Sequence, residues 1–363
     1  MKTLQRNLIL TLYTLCVSAA LTEMGARVLV RIRYDPERLQ SLTTAEDHRD
    51  KYAQHGVLPY VLRASVKQHN SRGWRGPEFS VPKPPGIFRI VCVGGSTTYG
   101  TETSHVRFLE EQLRAAGHHV EVLNAGVPGW TSRESLVNFE LRVLATQPDL
   151  VIVYQGRNDL FPQAYDNFEM DYTHFRDWSY DFTATNRDLK RWFRWSRTFM
   201  VLALAFPPLS GWDFVAEHPV YGSLRLENRP LSDRAVQNLS EPARTEGFRR
   251  NTERLIDLAS EQGVAVVLAT FAFVPRKLRT WPFLHEDWML LKPLREQLNR
   301  NNDVLRQLAA NEPGVYLAET AALAARKHVF FDDCHVTKEG HRLRAKMLLE
   351  ALEHHDLLPV AIR

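Results

Sequence analysis

The chain has 363 residues, of which 44% are hydrophobic and 24% charged, the balance of a globular protein long enough for one large α/β domain with insertions or for two domains. Its 46 basic and 42 acidic residues are scattered for a formal net charge of +4, so no basic run offers a footprint for nucleic acid. The three cysteines, Cys16, Cys92 and Cys334, make neither a disulfide framework nor a CxxC metal pair.

Lys2 and Arg6 precede the uncharged run Leu8 to Leu21. A charged region followed by an apolar one is the pattern of an export signal, and Val17, Ser18, Ala19 and Ala20 supply small residues for cleavage. The alternative is a helix that continues through "TEMGARVLVRI" and stays as an anchor, residues 1–33, with Glu23 and Arg27 one turn apart and able to offset each other. The apolar run alone is short of the ~20 residues that a span needs. Arg27, Arg31 and Arg33 outnumber the basic residues before the run, so flanking charge does not set the orientation. The expectation is an exported or membrane-anchored protein whose main domain lies outside the cytoplasm and which meets the membrane through its N-terminal helix.

Residues 34–85 are polar and end in "GWRGPEFSVPKPPG", an extended lead-in. A domain over 86–360 follows, in which strands alternate with helices. "IFRIVCVG" reads as a strand, "SHVRFLEEQLRAAG" as a helix and "HVEVLNAG" as a strand. "SRESLVNFELRVLATQ" is a helix that Thr131 or Ser132 caps with Glu134 nearby, and "DLVIVYQG" is a third strand. Later come the helix "GFRRNTERLIDLASEQG", the strand "VAVVLATFAF", the helix "LREQLNRNNDVLRQLAANEPG", the short strand "VYLAET" and the closing helix "TKEGHRLRAKMLLEALEHH". This alternation predicts a parallel sheet of about five strands with helices on both faces. Insertions near 161–244, rich in aromatics, and 275–293 break the rhythm. "FMVLALAF" is too short to span a bilayer and suits a core or a membrane-facing patch.

The chemistry-bearing residues all sit where a strand ends. Ser96 follows the first strand, Asn124, Gly126 and Gly129 the second, and Gly156, Asn158 and Asp159 the third. Asp332 and His335 lie in "FFDDCHVTKEGH", before the last helix. In open parallel sheets such loops converge on one edge. A serine hydroxyl needs a base to take its proton, and His335 suits that task at neutral pH. The base needs a carboxylate to fix its tautomer, and Asp332 is three residues away. The Ser96 N–H, the Gly129 N–H and the Asn158 amide are candidate donors to an oxyanion.

Together the four loops resemble the four blocks of the SGNH, or GDSL-like, hydrolase family. "VGGSTTYG" resembles the first, with Gly95 where the family name has Asp, and "NAGVPGWTS" the second, with Gly129 matching the oxyanion glycine. "GRND" resembles the third through Asn158, and "DDCH" the last through Asp332 and His335. The lead-in "NSRGWRGPE" resembles a membrane-associated branch of the family. The resemblance implies a flavodoxin-like fold and the cleavage or transfer of ester-linked acyl groups; no cofactor is expected, and because His118, His119, His341, His354 and His355 lack ligand-like spacing, no metal is expected either.

Several readings compete. Ser96 can cap a helix, Asn158 and Asp159 can form an Asx-turn, and Asp333 can be solvated or a capping group. His341 suits packing. An α/β-hydrolase elbow requires G-x-S-x-G, and the last glycine is missing from "GGSTT". A phosphate site lacks its G-x-G-x-x-G or P-loop lysine. Within the family, the expected activity is a serine esterase acting on an acyl group of a glycan or lipid. An O-acyltransferase acting on an exported polysaccharide and a non-catalytic carbohydrate-binding module are the alternatives. The aromatic insertion is the expected acyl or sugar contact surface, with plain lid packing as the rival.

Overall fold

The computed structural model describes residues 2–34, 39, 42, 43, 51–66, 68–178, 187–211, 223–225, 232–275 and 290–360. Most of the second insertion expected near 275–293 lies outside them. The main sheet has five strands, β1 Phe88–Gly94, β2 Val120–Asn124, β3 Leu150–Tyr154, β4 Ala265–Ala269 and β5 Val315–Ala318, and the short strands Tyr52–Ala53 and Val61–Leu62 pair apart from it. The main helices are α1 Lys2–Arg33, α2 Ser96–Tyr99, α3 His105–Ala115, α4 Ser132–Asn138, α5 Arg187–Trp195, α6 Arg197–Ala205, α7 Ser232–Ser240, α8 Glu246–Glu261, α9 Leu291–Asn311 and α10 Lys338–His354.

All five strands pair in parallel, in the order β2-β1-β3-β4-β5. This is the flavodoxin-like order of a doubly wound fold. The central strands read as continuous apolar runs because both of their faces are covered. Their side chains divide with period two. Ile90, Cys92, Leu150, Ile152 and Val267 enter one core, with Leu109 and Leu113 of α3 and Leu348 and Leu352 of α10. Val91, Val93, Val151, Val153, Val266 and Leu268 enter the other, with Phe248 and Leu255 of α8 and Val304 and Leu308 of α9. Cys92, 1% exposed, is a small apolar member of the first core.

The helix expected over "SRESLVNFELRVLATQ" changes pitch. Its first part is α4, followed by a π turn at Phe139–Val143 and a 3-10 turn at Leu144–Thr146. Phe139 and Val143 are both fully buried in the second core.

Contacts group the chain into two compact units, Met1–Ala53 with Tyr180–Gly222, and Gln54–Ser179 with Ser223–Arg363. The sheet belongs to the second. In the first, α6 packs along α1. Glu23 of α1 accepts hydrogen bonds from the Ser196 hydroxyl at 2.9 Å, the Arg197 N–H at 2.9 Å and the Thr198 N–H at 3.1 Å. These include N–H groups of the first helical turn, which have no acceptor inside their own helix. Losing such a cap costs about 1 kcal/mol. Glu23→Ala is therefore expected to raise trypsin cleavage at Arg191, Arg194 and Arg197 several-fold. Unchanged cleavage would show that this contact does not hold α6.

Candidate active site

Register fixes where the loops begin. Cys92 pairs with Asn124 and Gly94 with Tyr154, so β1, β2 and β3 end side by side. In this strand order the connections leave β1 in opposite directions, and the crevice beyond its C-terminal end is where doubly wound folds bind ligands. Ser96 stands there, as the first residue of the single turn α2.

The Ser96 hydroxyl lies 2.7 Å from His335 Nε2, and His335 Nδ1 lies 2.7 Å from Asp332 Oδ2. Asp332 Oδ1 also accepts from the backbone N–H of Cys334 at 2.9 Å and of His335 at 2.6 Å. Burial alone would raise the Asp332 pKa, but the bonds and charge of His335 and the two backbone donors bring it below the ordinary carboxylate value. A carboxylate so held keeps Nδ1 protonated and leaves Nε2 to the serine. Phe331 stacks on the His335 ring, with centroids 5.8 Å apart and planes at 13°.

The second and third loops meet beside this group. Asn158 Nδ2 donates to the Trp130 carbonyl at 2.8 Å, and Gly129, the residue before, has φ +82, a left-handed conformation that glycine adopts without strain. A Cβ on Gly95 would come 2.6 Å from Asn158 Nδ2 and 3.3 Å from the Trp130 carbonyl oxygen. The residue before Ser96 therefore has no room for a side chain, which is a physical reason for Gly95 where the family name has Asp. Asn158, Gly95 and the Trp130 carbonyl thus converge at one point. As the first residue of its turn, Ser96 keeps an N–H with no acceptor in that turn.

Polar contacts set each loop. Asn124 donates to the Thr98 carbonyl at 3.0 Å and accepts from the Gly126 N–H at 3.0 Å, tying α2 to the end of β2. Thr131 caps α4 in a capping box with Glu134, the cap expected from the sequence. Arg75, from the "NSRGWRGPE" lead-in, donates to the carbonyls of Tyr99 and Gly100 at 2.8 Å and of Thr101 at 2.7 Å. These lie at the C-terminal end of the Ser96 turn, where carbonyls have no partner within the turn.

Two residues beside the expected ones hold the loops to each other. Asp159, fully buried, accepts from the Ser132 N–H at 3.0 Å and from its hydroxyl at 2.5 Å, which joins the third loop to the start of α4. Burial pushes its carboxyl from 3.8 up to about 7, against the lowering effect of those bonds, and the Glu134 charge adds to the rise. Asp333 is not solvated: it is 5% exposed and bridges to Arg157 at 3.0 Å, joining the third loop to the last. The sequence offered a signal for both, since each neighbours a singled-out residue, but a charge's partner is invisible there.

Other expectations resolve as packing. His341 is 2% exposed and stacks on His105 at 6.1 Å. Burial, then the charges of Arg344, Arg75 and His335, hold its pKa down to about 3, so it is neutral. In the aromatic insertion, Tyr165, Tyr172 and Phe175 are 1–3% exposed, and Tyr165 meets Phe175 edge-on at 5.4 Å. That part of the insertion is core. Among the described residues, Asp332, Cys334 and His335 form a group whose potential metal-ligating atoms lie within 4.8 Å. Burial, with the Asp333 charge, raises the Cys334 pKa and keeps it a thiol, while Asp332 and His335 are bound to each other. The group is better built for passing a proton than for a cation.

Residues 92–207 match the family model described as the GDSL-like Lipase/Acylhydrolase family. Over those residues, and in the four loops described above, the chain is similar to the SGNH, or GDSL-like, hydrolases. The match covers the first three loops, and the fold brings the fourth to them. The match supports a hydrolase that acts on esters. Solved structures similar to it include a lipase/acylhydrolase from Enterococcus faecalis, 16% identical, covering 76% of this chain and 99% of that one at TM-score 0.44. Another is a putative GDSL-like lipase from Parabacteroides merdae, 14% identical over 73% and 95% at TM-score 0.43. A third is an acetyl xylan esterase from Geobacillus stearothermophilus, 16% identical over 73% and 94% at TM-score 0.42. No curated protein matches the chain.

Two outcomes follow from this geometry. Gly95→Ala is expected to displace the Asn158 amide and lower ester hydrolysis, and adding it to Asn158→Ala should cost little more, because contacting residues are not additive. Independent losses would count against the contact. For Asp159, a raised pKa means that the folded chain holds the proton more tightly than the unfolded one. Its stability is thus fullest below the ordinary value of 3.8 and falls as pH rises to about 7. Asp159→Asn keeps an acceptor for Ser132 and should flatten the decline of melting temperature across that window.

Proposed function

We propose that this SGNH-type hydrolase is a serine esterase that cleaves an ester-linked acyl group through an acyl-serine intermediate. One observation carries the reading, the 2.7 Å contact between Ser96 Oγ and His335 Nε2. Ser96 Oγ attacks the acyl carbonyl carbon while Nε2 takes its proton. The cation so formed is stabilised across the 2.7 Å bond to Asp332, whose carboxylate stays ionised. Negative charge gathers on the carbonyl oxygen, where the Ser96 N–H, the Gly129 N–H and the Asn158 amide donate to it. Collapse expels the alcohol, which leaves with the proton from Nε2. Water repeats the cycle: His335 takes its proton, hydroxide adds to the acyl-serine, and Ser96 leaves reprotonated with release of the acid.

The acyl group sits on a glycan or a lipid. Thr3–Arg33 is long and apolar enough to cross a membrane by length and composition, which supports α1 as an anchor, with the sheet domain outside the cytoplasm.

Ser96→Ala is expected to abolish both hydrolysis of a short-chain ester and the acyl adduct that the reading expects mass spectrometry to detect on the wild type. Asn158→Ala should remove ~3 kcal/mol of transition-state stabilisation, about two orders of magnitude in kcat. An unaffected kcat would refute the donor role. An acyl donor supplied with and without a glycan acceptor separates the products: free acid in excess supports the esterase, and acylated glycan in excess makes the chain a transferase.

A further inference from the structure

The helical corner of the first insertion carries a surface that the ester chemistry does not use. In α5, Phe193 is buried with Met200 and Ala203 of α6 and with Val30 and Leu42. Arg191, Trp192, Arg194 and Trp195 are exposed around the rest of the helix, Trp192 and Trp195 three apart on one flank and Arg191 and Arg194 three apart on the other. Trp192 is 62% and Trp195 78% exposed, and Phe199, edge-on to Trp192 at 6.5 Å, extends the patch onto α6. Exposed tryptophans interleaved with arginines are costly in water and suit an interface with lipid.

The position of this corner on α1 says which occupant fits. The Arg27 guanidinium donates to the Trp195 carbonyl at 3.4 Å and to Glu23 at 2.9 Å, and Glu23 takes the start of α6. From there α6 runs alongside α1 toward Val30, so the corner meets α1 at Glu23–Arg27. A span of ~20 residues that begins at Leu8 ends at Arg27. Glu23 would interrupt that span one turn early. Here its carboxylate is occupied by Arg27 and by three donors of the corner, so its charge is paired rather than bare. The corner thereby completes the anchor and sets two tryptophans at the level where the apolar run gives way to charge.

We propose that α5 and the start of α6 dock on the bilayer surface beside α1, with Trp192 and Trp195 in the headgroup layer and Arg191 and Arg194 facing anionic phospholipid. Charge complementarity and continuity with the apolar run of α1 point to lipid as the partner. The inference rests on α1 as the anchor, so the test reads the two separately. Cys16 is exposed within the apolar run, and Cys92 and Cys334 are buried. An environment-sensitive dye on Cys16 therefore reports whether α1 is in lipid.

The full chain, reconstituted in nanodiscs of phosphatidylcholine with or without phosphatidylglycerol and doped with acyl-brominated lipid, reports the corner by tryptophan quenching. Wild type is expected to be quenched, and Trp192→Phe with Trp195→Phe, which preserves the packing, to lose most of that quenching. Phosphatidylglycerol should deepen the quenching about twofold, consistent with attraction of basic residues to anionic lipid, and Arg191→Gln with Arg194→Gln should erase that difference. A Cys16 probe in lipid with equal quenching in wild type and the phenylalanine variant overturns the proposal and leaves the anchor standing. If the chain is also dimeric in the discs, a second copy covers the face instead. Equal quenching in both lipid mixtures overturns the anionic preference. A Cys16 probe in water removes the anchor, and the proposal with it.

Discussion

One hydrogen bond closes the site: Ser96 Oγ to His335 Nε2, across a sequence separation of 239 residues. It exists because a parallel sheet delivers every strand's C-terminal end to the same edge. The serine follows β1, and the histidine follows β5 at the far side of the sheet, so the last loop must return toward the middle. The buried side chains of Val329, Phe330 and Val336 supply the footing for that return, packed with Ala272, Val274 and Leu323. The Val274 N–H donates to the Asp333 carbonyl at 2.8 Å, and Arg157 pairs with the Asp333 carboxylate. These contacts fix the imidazole from behind, while Asp332 fixes it from the side.

The loops are held by polar groups in a region of low dielectric, where a satisfied hydrogen bond rigidifies and an unsatisfied one is costly. Asn124, Asp159 and Arg75 each connect two segments that the chain keeps apart, and each is 0–9% exposed. A carboxylate such as Asp159 is an expensive choice for that duty, since burial drives its pKa toward neutrality. Ser132 offsets part of the cost with two donors. The arrangement trades stability for a fixed distance between the second and third loops, which is what a site depending on donor placement needs.

Gly95 has the same logic in steric form. The close approach of the Asn158 amide leaves no volume for a β-carbon, so the residue next to the serine is set by a neighbour 63 positions on.

Residue pattern alone carried the alternation of strands and helices, the apolar runs of β1 and β3, a cap at Thr131 or Ser132 and the order of the four loops. These are local properties: period, capping chemistry and glycine at strand ends act within a few residues. Ser96, Gly129, Asn158, Asp332 and His335 were legible because four loops in one order at strand ends leave few alternatives. It took the fold to make Asp333 an ion-pair partner of Arg157 rather than a solvated charge, to bury Asp159 under Ser132, and to divide one aromatic insertion between buried rings at Tyr165, Tyr172 and Phe175 and a corner packed on α1. The physical reason is the same in each case. A charged or aromatic side chain has several stable fates, and the one it takes depends on what the fold places within 4 Å of it, a fact that no window along the chain contains.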